Sequence, residues 1–226
     1  MKFDIITIFP KIFDSYFDES ILARAQKKKL IKIQAHDLRR WATDKHRKVD
    51  DSPYGGGPGM VLKADVIFKA VTALKKIPIS KSQFPKKKNP KRRVILFSAK
   101  GKAFTQEDAK RLAKYDQIIM ICGRYEGVDE RVASRIADEE LSVGNFVMTG
   151  GEIPAMIVVD SVSRLVPGVL GKEASLKDES FCREGYKEYP QYTRPEKFKN
   201  WEVPEVLLNG NHKEIEEWRN KQSRNK

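Results

Sequence analysis

Strand-like and helix-like patterns alternate along residues 1–170 of this chain. Apolar, β-branched runs that read as buried strands cover Phe3–Phe9, Leu30–Ala35, Arg93–Ser98 and Gln117–Cys122. The stretches between them favour helices, as at Lys63–Lys75, where apolar residues recur at helical spacing. Helix starts are predicted at Ser20, at Thr105 with Asp108 and, near the end of the chain, at Asn211 with Glu214, while Ala99–Gly101 is typical of a turn. Strands that alternate with helices pair in parallel through crossover connections. The sequence therefore predicts an α/β fold with a mostly parallel sheet and helices on both faces.

Two glycine-bearing loops follow late apolar runs. One is Ile121–Asp129, and the other is Ser142–Gly151, which leads into an apolar helix with Pro154 in its first turn and Arg164 as a lone cation. Loops that follow neighbouring parallel strands meet at one edge of the sheet, where ligands bind. Neither loop has the spacing of a dinucleotide or triphosphate motif. Taken alone, each loop is equally typical of a simple turn.

The few cysteines and histidines argue against disulfides and metal. Cys122 and Cys182 are not closely spaced and are expected to be reduced thiols. The three histidines are scattered, so no metal ligand is predicted. No apolar run approaches the ~20 residues of a membrane span, and the N-terminus lacks a signal-peptide pattern. We therefore expect a cytoplasmic protein without membrane association.

Positive charge points to a polyanionic partner. The formal net charge is +13 and the pI is about 9.6, which favours nucleic acid or an anionic membrane surface. Lys75–Arg93 holds nine basic residues, three prolines and no acid, a composition that predicts a mobile loop. That loop could contact RNA phosphates or be a solvated insertion, and its sequence favours neither.

Five blocks of sequence carry a family resemblance. They read DDSPYGGGPGM from Asp50, GRYEGVDER from Gly123, LSVGNFVMTGGE from Leu141, RLVPGVLG from Arg164 and QYTRP from Gln191. Together they resemble the bacterial tRNA (guanine-N1)-methyltransferase family of the SPOUT superfamily, which modifies the base 3′ to the anticodon. The resemblance extends from Phe3 to about Trp218.

The resemblance implies a domain organisation and partners. Residues 1–170 would form a methyltransferase domain ending in a trefoil knot, 171–178 a linker, and 179–226 a small, mainly helical tRNA-binding domain. The family acts as a homodimer with shared active sites, so tRNA and a second copy are the implied partners. The chain ends soon after Trp218, earlier than many relatives, and a weaker hold on tRNA is expected from this.

The resemblance also implies S-adenosylmethionine as methyl donor and leaves a Mg²⁺ requirement open. Matched cofactor positions are Leu96, Phe97, Ser98, Ala99, Gly123, Tyr125, Glu126, Gly127, Ser142, Val143, Gly144, Asn145, Phe146, Val147, Met148, Gly150 and Gly151. Matched positions near the target base are His46, Arg47, Asp50, Tyr54, Gly55 and Gly59. Ala99 stands where proline is common in the family, and Asn145 where aspartate is usual.

Catalysis by this family needs a general base and a cation. Guanine N1 carries a proton that a carboxylate must remove, while negative charge grows on O6. The family register assigns the base to Glu179, where aspartate is usual, with the preceding Asp178 as the alternative, and assigns the cation to Arg164. Two other functions compete with this one: a non-catalytic RNA-binding protein of the same fold, and a knotted methyltransferase acting on ribose or ribosomal RNA.

Overall fold

The computed structural model describes residues 1–76, 90–171, 179–183 and 185–224. The chain divides into two compact units, Met1–Gly171 and Lys172–Lys226. No helix within the described ranges is both long and apolar enough to span a bilayer. The basic stretch Lys75–Arg93 falls largely outside these ranges, as does most of the predicted linker.

A parallel sheet of five strands forms the centre of the first unit. Its strands are β1 (Lys2–Thr7), β2 (Lys32–Asp37), β5 (Arg92–Ala103), β6 (Gln117–Cys122) and β7 (Glu139–Ser142), while β3 (Asp50–Asp51) and β4 (Val61–Leu62) form a separate antiparallel pair. The order in the sheet is β2-β1-β6-β5-β7, and every neighbouring pair is parallel. The predicted α/β class with a parallel sheet is confirmed.

Helices cover both faces of this sheet. They are α1 (Asp14–Phe17), α2 (Ser20–Lys27), α3 (Ala64–Lys76), α4 (Gln106–Leu112), α5 (Glu130–Arg135) and α6 (Glu152–Ser163). Successive strand residues point to opposite faces, so Ile95 joins a core with α1, α2, α4 and α6. Its neighbours Val94 and Leu96 join a second core with α3 and α5. The site-bearing strand β5 is thus held from both sides.

Strand β5 is longer than its pattern predicts. The sequence indicated a turn at Ala99–Gly101, but the strand continues to Ala103, with an irregular register against β7 between Phe97 and Lys102. A Cβ on Gly101 would lie 2.7 Å from backbone atoms of Glu140 and Leu141. The glycine is needed because two strands pass this closely, and the turn prediction was wrong.

Some helix starts are capped by a side chain and others are not. Thr105 and Asp108 form the predicted capping box of α4. Ser20 was expected to cap α2, but it is the first helical residue, and Glu19 precedes it without a side-chain cap.

The second unit is small and contains few regular elements. A two-residue hairpin pairs β8 (Lys197–Phe198) with β9 (Trp201–Glu202), and α7 covers His212–Arg224. Asn211 Oδ1 accepts from the backbone N–H groups of Lys213 and Glu214, as the sequence predicted for this helix start. The Tyr192 and Trp218 rings, 6.3 Å apart, pack α7 against the preceding chain.

Candidate functional site

A cavity of about 530 Å³ opens beyond the carboxyl ends of β5, β6 and β7. Sixteen of the seventeen predicted cofactor positions line it, and Asn145 does not. Other residues that line the cavity were not predicted: Lys100, Arg124, Val128, Glu130, Ala133, Glu140, Leu141, Thr149 and Pro154. Its volume lies within the range of small-molecule sites. It is lined mainly by residues 96–100 of β5 and by the loops that follow β6 and β7, which meet at one edge of the parallel sheet.

Glycines allow the two loops to pack against each other. The Gly151 N–H donates to the Gly123 carbonyl at 3.0 Å, and Gly150 forms an isolated bridge with Arg124. A Cβ on Gly151 would lie 2.7 Å from Cys122 Cα. Larger residues would therefore separate the loops and open this wall of the cavity.

A buried ion pair fixes the start of α6 behind the cavity. Glu152 is 1% exposed, and its two oxygens accept from the Thr7 hydroxyl at 2.7 Å and from Arg124 Nε at 2.9 Å. Arg124 Nη1 also donates to the Thr149 carbonyl at 3.2 Å, and its guanidinium lies 4.9 Å from the centre of the Phe9 ring. The pair thus joins the end of β1 to both glycine loops.

The thiol of Cys122 lies near this pair and is buried and unreactive. Burial, together with the nearby Glu152 charge, raises the pKa of Cys122 well above its ordinary value. A neutral buried thiol is a poor nucleophile. Neither Cys122 nor Cys182 forms a disulfide within the part of the chain that the structure describes.

The loop that ends in β4 runs beside the glycine-bearing loop Ile121–Asp129. The Glu126 N–H donates to the Met60 carbonyl and the Leu62 N–H to the Gly127 carbonyl, each at 3.0 Å. A Cβ on Gly59 would lie 2.4 Å from Glu126 Oε1. Residues before β4 are therefore placed at the rim of the cavity, although none of them lines it.

Of the positions predicted to lie near the target nucleobase, Asp50 interacts directly with Tyr125, which lines the cavity. Burial, followed by the charge and hydrogen bond of Asp50, raises the pKa of the Tyr125 hydroxyl. Tyr54 is fully exposed, and a Cβ on Gly55 would meet nothing. These two positions stand in open space in front of the rim.

An Asp44 turn presents the remaining two positions, His46 and Arg47. The Asp44 carboxylate accepts from the backbone N–H groups of Lys48 and His46, and these bonds lower the pKa of Asp44. Arg47 has a φ of 51°, in the left-handed region. Hydrogen bonds to Asp44 hold the backbone of this turn, which exposes the titratable side chain of His46 and the cationic side chain of Arg47.

The predicted catalytic cation, Arg164, does not line this cavity. Arg164 directly follows α6, is half-buried and donates its backbone N–H to the Asp160 carbonyl at 3.2 Å. Glu179 belongs to the second unit, and Asp178 lies outside the described residues. Within the described ranges, no group of three or more His, Cys, Asp or Glu residues could hold a metal ion.

Comparison with known proteins gives one consistent result. The family profile described as tRNA (Guanine-1)-methyltransferase TrmD matches residues 1–226. The chain belongs to the tRNA (guanine-N1)-methyltransferase family. A relative named tRNA (guanine-N(1)-)-methyltransferase from Citrifermentans bemidjiense is 50% identical over 98% of this chain and 84% of its own length. Proteins of the same name from Dictyoglomus turgidum (52% identical) and Ruminiclostridium cellulolyticum (49%) each match 99% of this chain, covering 85% and 91% of their own lengths.

Within this methyltransferase, the sequence did not reveal several charged residues in and behind the cavity wall, among them Arg124, Glu140 and Glu152. Arg124 and Glu152 stand in the two glycine-bearing blocks, and their opposite charges in loops expected to meet were a usable signal. Glu140 gave no such signal, because it reads as an ordinary surface acid. Its Oε1 is buried and has no hydrogen-bond partner among the described residues. Arg124 and Glu140 line the methyltransferase cavity, and Glu152 lies behind it, paired with Arg124.

Proposed function

We propose that this protein transfers a methyl group from S-adenosylmethionine to N1 of the guanosine 3′ to the anticodon in tRNA. The observation that carries this is the cavity itself, lined by sixteen positions that the family resemblance assigns to the cofactor. The names of the relatives supply the reaction, and the chain matches them over 98–99% of its length.

The residues of the cavity fit this cofactor. Apolar side chains such as Leu96 and Val143 would contact an adenine ring, and the glycine backbone admits a ligand closely. Glu126 and Glu140 bring carboxylates that suit a cationic sulfonium and an amino group. When bound, the cofactor supplies an electrophilic methyl group, so the protein has to orient it and exclude water.

Proton removal is assigned to Glu179, with Asp178 as the alternative, and charge stabilisation at O6 to Arg164. A carboxylate takes the N1 proton, and the guanidinium offers fixed donors to the oxygen that becomes negative. The rim loop, with His46, Arg47, Asp50, Tyr54, Gly55 and Gly59, would hold the target base. Its attachment to Glu126 and Gly127 supports this role.

The proposal includes a homodimer that shares its active sites. Helix α6 is apolar on nearly every side, which is typical of a helix buried all round. One side packs into the core through Ala155, Val158, Val159 and Val162. Ile153 and Ile157 on its outer side are 53% and 38% exposed, and Phe9, Ile12 and Tyr16 nearby are also exposed. A second copy would bury this apolar face.

Two further features belong to the same proposal. The trefoil knot is supported by residues 96–100 of β5 and the loops after β6 and β7, which converge on one cavity. A cytoplasmic location follows from the proposed tRNA substrate.

Methyl transfer to a tRNA transcript tests the proposal, with nucleoside mass spectrometry of the product. We expect 1-methylguanosine. A 2′-O-methylated nucleoside would instead favour the ribose methyltransferase alternative. Absence of product, together with calorimetry that detects no S-adenosylmethionine binding, would favour the non-catalytic RNA-binding alternative.

A further inference from the structure

The β8–β9 hairpin of the second unit presents two aromatic side chains to solvent. Phe198 is 56% exposed and Trp201 is 67% exposed. They face each other across the two strands, and Lys199–Asn200 forms the tip between them. Tyr189 of this unit packs under Arg219, whereas Phe181 and Tyr192 are also exposed. The hairpin aromatics therefore contribute little to the core of the unit.

A lysine completes this aromatic surface. The Phe198 and Trp201 rings lie 5.7 Å apart with their planes inclined by 53°. Lys199 Nζ lies 5.7 Å from the centre of one ring and 5.9 Å from the other. The three side chains thus form one exposed patch, which we call the aromatic platform.

The backbone at the tip favours this arrangement at a conformational cost. Lys199 has a φ of 57°, in the left-handed region where glycine or asparagine is favoured. A cation therefore occupies a turn position where a side chain of this length is unfavourable. Strained positions of this kind cluster at functional sites.

General electrostatic attraction cannot account for nucleic-acid binding by this unit. Residues 172–226 hold twelve Lys and Arg residues against eleven Asp and Glu residues. In the hairpin itself, Lys197 is already paired with Glu202 at 2.5 Å. Contact with RNA here has to come from local chemistry.

We propose that the aromatic platform stacks an unpaired base of the tRNA substrate while Lys199 contacts the adjoining phosphate. This inference rests on the proposed function. Every nucleobase has a π-face that stacks on Phe and Trp rings. Each nucleotide also carries a phosphate, which a cationic side chain beside those rings can contact. A protein partner would need a wider apolar surface than a hairpin of two residues per strand provides.

The test uses the full-length double variant Phe198→Ala/Trp201→Ala. We expect the tRNA Kd and KM to rise roughly tenfold or more, because stacking of one base contributes about that much. The kcat at saturating tRNA, the S-adenosylmethionine affinity and the slope of log Kd against log salt should not change. Phe68→Ala is the matched control, because Phe68 is 57% exposed on α3 and should leave the tRNA Kd unchanged.

A second variant separates stacking from apolar contact. Phe198→Leu/Trp201→Leu keeps apolar bulk but loses the π-faces, so it should bind tRNA as poorly as the alanine variant. Full binding by the leucine variant, or a tRNA Kd for the alanine variant equal to that of Phe68→Ala, would overturn the platform. So would loss of the dimer in the alanine variant. The proposed function fails separately, if the unmodified protein neither binds nor methylates tRNA.

Discussion

At the scale of single residues, the Glu152–Arg124 pair holds the two glycine loops of the cavity in place. Removing one member of a buried pair leaves the other charge without compensation, at a cost of about 3 kcal/mol. We expect Glu152→Ala to lower the free energy of unfolding by about that amount and to weaken cofactor binding. Urea unfolding and calorimetry would measure the two effects.

The matched control for this prediction is Glu107→Ala on α4. Glu107 pairs with Lys110, but its side chain is 74% exposed. Exposed pairs contribute about 0–1 kcal/mol, so stability and cofactor affinity should stay close to those of the unmodified protein. Equal effects of the two substitutions would contradict the role given to Glu152.

The identity of the general base is a second prediction at this scale. We expect Glu179→Gln to slow single-turnover methylation about 10²- to 10⁴-fold at saturating cofactor, because a true base contributes that much. Asp178→Asn should be near normal. The reverse pattern would move the assignment to Asp178, and similar small losses in both would leave neither as the essential base.

The sequence predicted the residues that line the cavity better than it predicted the contacts among the charged residues around it. Glycine spacing and family register gave sixteen positions that line the cavity, because neighbouring parallel strands bring these segments to one edge of the sheet. The Thr7–Glu152–Arg124 contacts join residues 145 positions apart in the chain, and periodicity cannot pair them. Asn145 was included by register, but its side chain does not line the cavity.

At the scale of secondary-structure elements, a cluster of salt bridges joins α4 to β7. Arg111 contacts both Asp108 and Glu139, and Arg93 of β5 also contacts Glu139. Burial alone would raise the pKa of each acid. The contacts from Lys102 and Arg111 to Asp108, and from Arg111 and Arg93 to Glu139, outweigh it and lower both pKa values.

This cluster predicts a stability loss in acid. The folded-state pKa values lie below the ordinary 3.8 of Asp108 and 4.5 of Glu139, so the unfolded chain binds more protons. The stabilisation is present above these ordinary values and is lost as the pH falls through the lowered ones. Urea midpoints should drop between pH 6 and pH 3, and less steeply in Glu139→Gln. Parallel curves for the two proteins would contradict this.

Element boundaries were predictable where one signal acted alone. Strand β6 and the capping box of α4 lie where their patterns predicted. Strand β7 was missed because Glu139 and Glu140 read as polar loop, although Arg93 and Arg111 partner Glu139. Gly101 lies where two strands pass closely, but glycine is also typical of turns, so the turn predicted there was wrong.

At the scale of the whole molecule, the apolar face of α6 predicts the oligomeric state. Ile153→Asp/Ile157→Asp would place charges in the proposed subunit interface, where burial without partners is costly. We expect a monomer by light scattering and loss of methylation. Phe68→Asp is the control, because it places a charge on an exposed site away from this face and should leave a dimer.

A mixing experiment examines the shared site. Combining an Arg164→Ala chain with a Glu179→Gln chain creates mixed dimers. If each site takes these residues from different chains, the mixed dimer has one intact site and one doubly defective site, and activity should return. Activity in a demonstrably monomeric preparation would refute shared sites.

The distribution of charge over the molecule gives the last prediction. Residues 1–171 hold 32 Lys and Arg against 20 Asp and Glu, so this unit supplies nearly all of the net charge. Because each phosphate contact releases counterions, binding of tRNA should weaken steeply with salt. Lys86→Ala/Lys87→Ala/Lys88→Ala, in the basic stretch outside the described residues, should reduce the salt slope by about two. Lys187→Ala/Lys213→Ala/Lys221→Ala removes equal charge from the other unit and should change the slope less. An unchanged slope in the Lys86→Ala/Lys87→Ala/Lys88→Ala variant would leave the basic stretch a solvated insertion.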